Sequence, residues 1–249
     1  MRIHGRSLPT FLQLASIALL GVSTAFAAEP EAVEVATKAA PAAPEPSTPP
    51  FEPDAAAGAV RAALCFGCHG ADGNAPNPIW PKLAGQQPAY IAKQLRDFKA
   101  GRRVDPMMTA MAAPLSNQDI VDIAAHFASL TIHVGAGDAS LAAKGERLYR
   151  EGRSEGHVLA CISCHGVNAE GFGVGIEGGF PAIGAQNPSY LIKQLQSYRS
   201  GDRSNDWEGI MRYVAANLSD EDIAALAAYL VSVPREPLSE TPEVLATGG

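Results

Sequence analysis

The pentapeptide Cys-x-x-Cys-His occurs twice, as Cys65-Phe66-Gly67-Cys68-His69 and as Cys161-Ile162-Ser163-Cys164-His165, and the two copies use all four cysteines of the chain. This run is the attachment signal for c-type haem. Its two thiols each form a thioether to a haem vinyl group, and the histidine that follows sits under the iron as proximal ligand. Two other chemistries use paired cysteines. A four-thiolate zinc site keeps its pairs roughly 15–20 residues apart, whereas 92 residues separate Cys68 from Cys161. A disulfide framework suits an exported protein, but neither it nor zinc accounts for a histidine directly after each pair. The sequence therefore calls for two covalent haem c groups, one on Cys65 and Cys68 and one on Cys161 and Cys164, with His69 and His165 as iron ligands.

Maturation of c-type haem takes place outside the cytoplasm, and the N-terminus carries an export signal. Arg2 and Arg6 precede an apolar stretch from about Leu8 to Ala27, which ends in the small-x-small site Ala25-Phe26-Ala27. Residues 1–27 are expected to be a signal peptide, with the mature chain starting at Ala28 in the periplasm. An uncleaved membrane anchor is the alternative. The stretch is near the lower limit of a span and contains Thr10, Gln13, Ser16, Ser23 and Thr24. Residues 28–54 form a separate block rich in Ala, Pro and Glu, which cannot bury a core and reads as a disordered tether. Residues 237–249 read as a disordered tail.

The whole chain has a formal net charge of −7, which argues against a nucleic-acid partner. The charge is uneven: residues 55–138 carry seven basic and six acidic groups, and residues 139–249 carry nine and fourteen. Such asymmetry can steer different redox partners to the two halves.

Self-alignment reveals a tandem duplication. Pro81-Lys82-Leu83-Ala84-Gly85 answers Pro181-Ala182-Ile183-Gly184-Ala185. Gln87-Pro88-Ala89-Tyr90-Ile91-Ala92-Lys93-Gln94-Leu95 answers Asn187-Pro188-Ser189-Tyr190-Leu191-Ile192-Lys193-Gln194-Leu195. Gly101-Arg102-Arg103 then meets Gly201-Asp202-Arg203, and Leu115-Ser116 meets Leu218-Ser219. Each copy reads as a small helical unit with no strand alternation. A first helix, over about 55–65 or 140–151, leads into the haem motif. A second begins where Pro88 or Pro188 occupies the first helical position, which needs no N–H donor; Asn187 is a good cap before it. Tyr90, Ile91, Leu95 and Phe98 have the helical period. A third begins at Ser116 or Ser219, each with Asp three residues on, a variant of the capping box. Its apolar face in the second copy is Ile223, Leu226, Ala227 and Leu230.

The second axial ligand decides whether a haem carries electrons or reacts. Met211 is the only methionine of the second copy and lies seven residues before Leu218. Seven residues before the equivalent Leu115 lies Met108, so the repeat nominates Met108 over Met107 and Met111, which read as packing residues. Other candidates are His126 on the third helix, His133 in the connector and His157 in a loop; each has an ordinary structural reading. Methionine–histidine ligation raises the reduction potential and fills the coordination sphere, which favours electron transfer over chemistry on small molecules.

With these residues in place the chain resembles class I c-type cytochromes, specifically the two-haem cytochrome c4 type, over about residues 55–233. The resemblance implies an all-α fold of two tandem class I cytochrome c domains, 55–135 and 136–236, each a small helical bundle around a covalent haem. It implies haem edges close enough for rapid transfer between domains, and periplasmic donation of electrons to terminal oxidases. It also implies that the carbonyls of Pro81 and Pro181 accept the N–H of the proximal histidines. The second copy departs from the first in carrying Ile183 and Ala185 in place of Leu83 and Gly85. It also has a longer run between haem motif and methionine, which includes the Gly-rich stretch 171–179 and Trp207.

The expected function is thus a two-haem electron carrier between a respiratory donor and a terminal oxidase or reductase. Its partners would be redox proteins, among them a membrane-bound oxidase or dehydrogenase, with membrane association if the N-terminus is retained. A dedicated electron-transfer subunit of a larger complex is the nearest alternative. A dihaem peroxidase or thiosulfate-oxidising enzyme is the other, but such enzymes need an open iron, and this sequence offers each haem a methionine.

Overall fold

The computed structural model describes residues 52–173 and 176–235. The expected signal peptide, nearly all of the tether and the tail 237–249 lie outside the described residues. The first half contains helices α1 (Ala55–Arg61), α2 (Phe66–His69), α3 (Pro88–Lys99), α4 (Pro106–Ala112) and α5 (Asn117–Ala128). The second half repeats the order as α6 (Ala139–Glu151), α7 (Ile162–His165), α8 (Pro188–Ser200), α9 (Ile210–Ala216) and α10 (Asp220–Leu230). Among the described residues the only β-type pairings are isolated bridges, Arg153 with Val158 and Phe172 with Phe180.

The helix starts follow local chemistry. The Asp54 carboxylate accepts from Ala56 and Ala57 N–H at the head of α1. Ser116 with Asp119 and Ser219 with Asp222 form complete capping boxes on α5 and α10, which satisfies N–H groups that have no partner inside the helix. Pro88 and Pro188 open α3 and α8 as their fixed φ requires. Asn187 differs from expectation. It stands at the cap of α8, yet its side chain makes no bond to that helix. Instead its amide donates to Trp80 O at 2.8 Å in the other half, because the domain interface offers it a buried carbonyl.

Helices α4 and α9 carry the nominated methionines and are too short for periodicity to reveal. α4 is capped by Asp105, which accepts from Met107 and Met108 N–H. α9 starts from Gly209, held at φ 74°, after a 3-10 turn at Trp207–Gly209 in the segment where the second copy is three residues longer than the first.

In each half the first helix crosses the last, α1 on α5 and α6 on α10, at a glycine. A Cβ on Gly58 would lie 2.0 Å from Asp122 O, and one on Gly145 would lie 2.0 Å from Ala225 O. Backbone contact this close is open only to glycine. Around these crossings lie two cores. Ile91, Leu95, Phe98, Ile120, Ile123 and Phe127 fill the first; Leu148, Tyr149, Leu191, Ile223, Leu226 and Leu230 fill the second. Each core reaches its haem-motif cysteine: Cys65 packs on the first and Cys161 on the second.

Candidate haem centres

Both haem motifs fold as a single helical turn. Cys65 O accepts from Cys68 N–H at 3.2 Å and from His69 N–H at 2.9 Å, and Cys161 O does the same for Cys164 and His165. That turn places the two thiols on one face, as spacing by three requires. No disulfide links the four cysteines. Burial pushes the Cys65 thiol up and the Cys161 thiol up to about 11, so their surroundings are an apolar wall and not the electropositive setting that produces a thiolate. Among the described residues no cluster of three or more His, Cys, Asp or Glu side chains gathers for a metal ion, so the two cysteine pairs do not assemble a zinc site.

His69 and His165 are almost fully buried. Each Nδ1 lies 2.9 Å from a proline carbonyl, Pro81 O for His69 and Pro181 O for His165. Burial lowers both imidazole pKa values, outweighing the opposing effect of the carbonyl bond. The rings are therefore neutral. A neutral ring that donates Nδ1–H to a carbonyl has its lone pair on Nε2, the tautomer a metal-ligating histidine needs.

In the second half the ligand candidates meet in one cleft, lined by Cys164, His165, Phe180, Pro181, Tyr198, Trp207 and Met211. The thioether of Met211 thus shares a cavity with the proximal histidine. Ile176 and Phe180 from the Gly-rich insertion wall this cleft, as do Tyr90, Lys93 and Gln94 from the first half. In the first half Met108 packs on the core that Cys65 and Phe66 also join, while Met107 is 54% exposed. The three other histidines have structural places. The His126 ring packs on Phe66 and Phe127 at 5.8 and 5.2 Å. His133 lies 3.8 Å from the Asp72 carboxylate at the surface. His157 sits in a loop at φ 53°. Two thiols on one turn, a neutral imidazole with a free Nε2 and a thioether across an apolar cleft form a donor set that fits haem c.

One feature near the cleft was not singled out from the sequence. Arg203, 6% exposed, donates to Tyr90 Oη, to the side-chain oxygens of Gln94 and Gln194, and to Asn205 Oδ1. Arg103 mirrors it, donating to Tyr190 Oη, Gln94 and Gln194. Each guanidinium also stacks on a ring of its own half, Phe98 for Arg103 and Tyr198 for Arg203, at 4.6 and 4.5 Å. The repetition of Gly-x-Arg was the available signal; that the two arginines meet across the halves was not.

Two tandem helical domains, each with a Cys-x-x-Cys-His turn and a proline-anchored histidine, define a dihaem c-type electron-transfer protein. The cytochrome c family model matches residues 55–131 and 142–234. A cytochrome c4 of Pseudomonas aeruginosa is 48% identical over 179 residues, covering 71% of this chain and 87% of the relative. The crystal structure of reduced recombinant cytochrome c4 from Pseudomonas stutzeri matches with a TM-score of 0.68 at 46% identity, covering 73% of this chain and 100% of that one. A thiosulfate dehydrogenase electron acceptor of Thiomonas intermedia is 37% identical over 190 residues, covering 73% of this chain and 84% of the relative. The chain belongs to the cytochrome c family, as a dihaem member of the c4 type. It is an electron carrier with two covalent haem c groups, and its partners are other redox proteins.

Proposed function

We propose that this protein is a periplasmic carrier that passes single electrons through two Met/His-ligated haems. Residues 55–135 would hold one haem on Cys65 and Cys68 between His69 and Met108. Residues 136–236 would hold the other on Cys161 and Cys164 between His165 and Met211. The observation that carries this reading is the second cleft, where Met211 and a neutral, proline-anchored His165 line the same cavity.

The haem supplies the one-electron couple. The chain's part is to hold it rigid and dry. Cys65, Cys68, Cys161 and Cys164 would hold the haems by thioether bonds, and the Pro81 and Pro181 carbonyls fix the imidazole planes. A neutral thioether and an apolar wall would favour the ferrous state and raise the potential. With Met108 and Met211 as ligands, neither iron would be open to peroxide or oxygen, which argues against the dihaem-enzyme alternative. The test is carbon monoxide binding to the reduced protein, wild type against Met108→Ala and Met211→Ala. Each substitution is expected to open one iron; variants that remain low-spin and ignore the gas would overturn the ligand assignment.

For partners, the reading is a respiratory donor on one side and a terminal oxidase or reductase on the other. A second reading, a dedicated acceptor for a dehydrogenase, is favoured by the 37% identity to a thiosulfate dehydrogenase electron acceptor. No helix among the described residues is long and apolar enough to cross a membrane.

A further inference from the structure

The loop that carries each proximal-histidine proline is held from the other domain, and by a glutamine. Gln186 Oε1 accepts from Lys82 N–H at 2.8 Å, and its Nε2 donates to Lys82 O at 2.9 Å. Gln86 repeats this in reverse: its Oε1 accepts from Ala182 N–H at 2.9 Å, and its Nε2 donates to Ala182 O at 2.8 Å. Both glutamines, Lys82 and Ala182 are buried. The amide orientation is determined, because each Oε1 also accepts the N–H of the next residue, Gln87 or Asn187. Neighbouring N–H groups behave differently. Those of Leu83 and Ala84 turn inward to Gly73 O, and those of Ile183 and Gly184 turn to Ala169 O. Within each loop that follows the proline, from Lys82 to Ala84 and from Ala182 to Gly184, it is the N–H directly after the proline that reaches across the interface.

That N–H belongs to the same peptide unit as the proline carbonyl. Lys82 N–H and Pro81 C=O are two ends of one amide, and Pro81 O lies 2.9 Å from His69 Nδ1. Ala182 N–H and Pro181 C=O are likewise one amide, with Pro181 O 2.9 Å from His165 Nδ1. Each half thus has an unbroken chain: imidazole N–H, proline carbonyl, the amide's own N–H, and the glutamine oxygen of the other domain. Hydrogen bonds in series polarise one another, strengthening each by about 10–30%. An acceptor on the amide N–H makes its carbonyl a better acceptor for the imidazole. A more strongly bonded imidazole is a more basic iron ligand, which favours the ferric state.

We propose that Gln186 and Gln86 are cross-domain positioning residues: each sets, through one peptide unit, the hydrogen bond that orients and polarises the proximal histidine of the other domain. The potential of each haem then depends on docking of the domain that holds its neighbour. This rests on His69 and His165 being the proximal ligands. That reading is checked separately by the wild-type reduced spectrum: a high-spin haem there would refute it without bearing on the glutamines.

The experiment uses the full haem-loaded chain with 15N-labelled histidine, reduced so that low-spin haem is diamagnetic. The Nδ1–H resonances of His69 and His165 and both midpoint potentials are followed together. Gln186→Met, which keeps shape but offers no acceptor, is expected to move the His69 resonance upfield, hasten its exchange with water and raise one potential, leaving His165 in place. Gln86→Met is expected to do the reverse. Gln186→Glu, protonated at this buried site, retains an acceptor oxygen for Lys82 N–H and a donor for Lys82 O at the same reach, so it should return the His69 resonance toward its wild-type position. Equal movement of both histidines by either Met variant would mean general loosening and would overturn the proposal. So would no movement in either, or Glu and Met variants of Gln186 that behave alike.

Discussion

Gly145 is where α6 meets α10 at its closest, and a single methyl group there tests the packing that brings the chain to the second haem motif. A Cβ would stand 2.0 Å from Ala225 O, 2.6 Å from Ala225 C and 2.8 Å from Tyr229 Cβ. Ordinary contacts between such atoms lie near 3.5 Å, so the helices must part by more than an ångström or the backbone must bend. The nearest atoms are main chain and cannot rotate away. Overpacking of this kind costs about 1–3 kcal/mol, sometimes more. Against it stands the helix preference for Ala over Gly, about 1 kcal/mol. Since no side-chain rotation relieves the clash, the upper end applies, and Gly145→Ala should destabilise by about 2 kcal/mol net. If the two domains melt together, that lowers Tm by about 4–8 °C. The assay is guanidinium unfolding followed by helical circular dichroism and by Soret absorbance, with the spectral change concentrated in the haem on Cys161 and Cys164. Gly58→Ala, with its Cβ 2.0 Å from Asp122 O, should do the same to the other haem. A Gly145→Ala protein as stable as wild type, or more stable, would refute the reasoning, because helix preference alone would then decide.

Arg203→Met removes the donors that bind Tyr90 Oη and the side-chain oxygens of Gln94, Gln194 and Asn205; hydrogen bonds to charged groups contribute about 1.5–3 kcal/mol each, less what is regained by no longer burying a charge. A net loss of about 2 kcal/mol is expected in guanidinium unfolding, and Arg203→Lys should not restore it, since an ammonium cannot reproduce the planar fork. Acid stability follows Asp222: burial opposes its charge, but hydrogen bonds from the Ser219 backbone, Arg153, the Ser219 hydroxyl and Lys144 prevail and hold its pKa at about 2, below the ordinary 3.8. Because the folded value is depressed, this contribution is complete above pH 3.8 and is lost as pH falls toward 2. Asp222→Asn should flatten the fall in stability across that window; an unchanged acid profile would exclude Asp222 as its source.

Much of the site was legible because c-type haem demands adjacent residues. The Cys-x-x-Cys-His runs mark the attachment turns without reference to anything distant. The repeat then transfers information between copies: Met211, alone in its half, picks Met108 from three neighbouring methionines, and Pro81 and Pro181 fall at matching places. Capping residues such as Ser116 and Ser219 act within one helical turn, so they too are visible. What the sequence hides is whatever one domain does for the other. Gln86 and Gln186 match each other across the repeat, but nothing local says what they bind, and their partners lie 96 and 104 residues away. Asn187 reads as an ordinary cap because nothing local says that Trp80 O lies within its reach. The glycines at the helix crossings are hidden for another reason. Gly58 in an Ala-rich helix looks like a weakness until the Asp122 carbonyl is seen against it.

The central claim is that each iron lies between a proline-anchored histidine and a methionine, which makes the protein a carrier. The direct measurement is the optical spectrum of the full-length protein, oxidised and reduced, with haem stoichiometry and then carbon monoxide added to the reduced form. Two haems per chain, both low-spin and both indifferent to carbon monoxide, are the predicted result. One haem that binds the gas would mean an open iron in the wild-type protein, a wrong methionine, and an enzyme in place of a carrier.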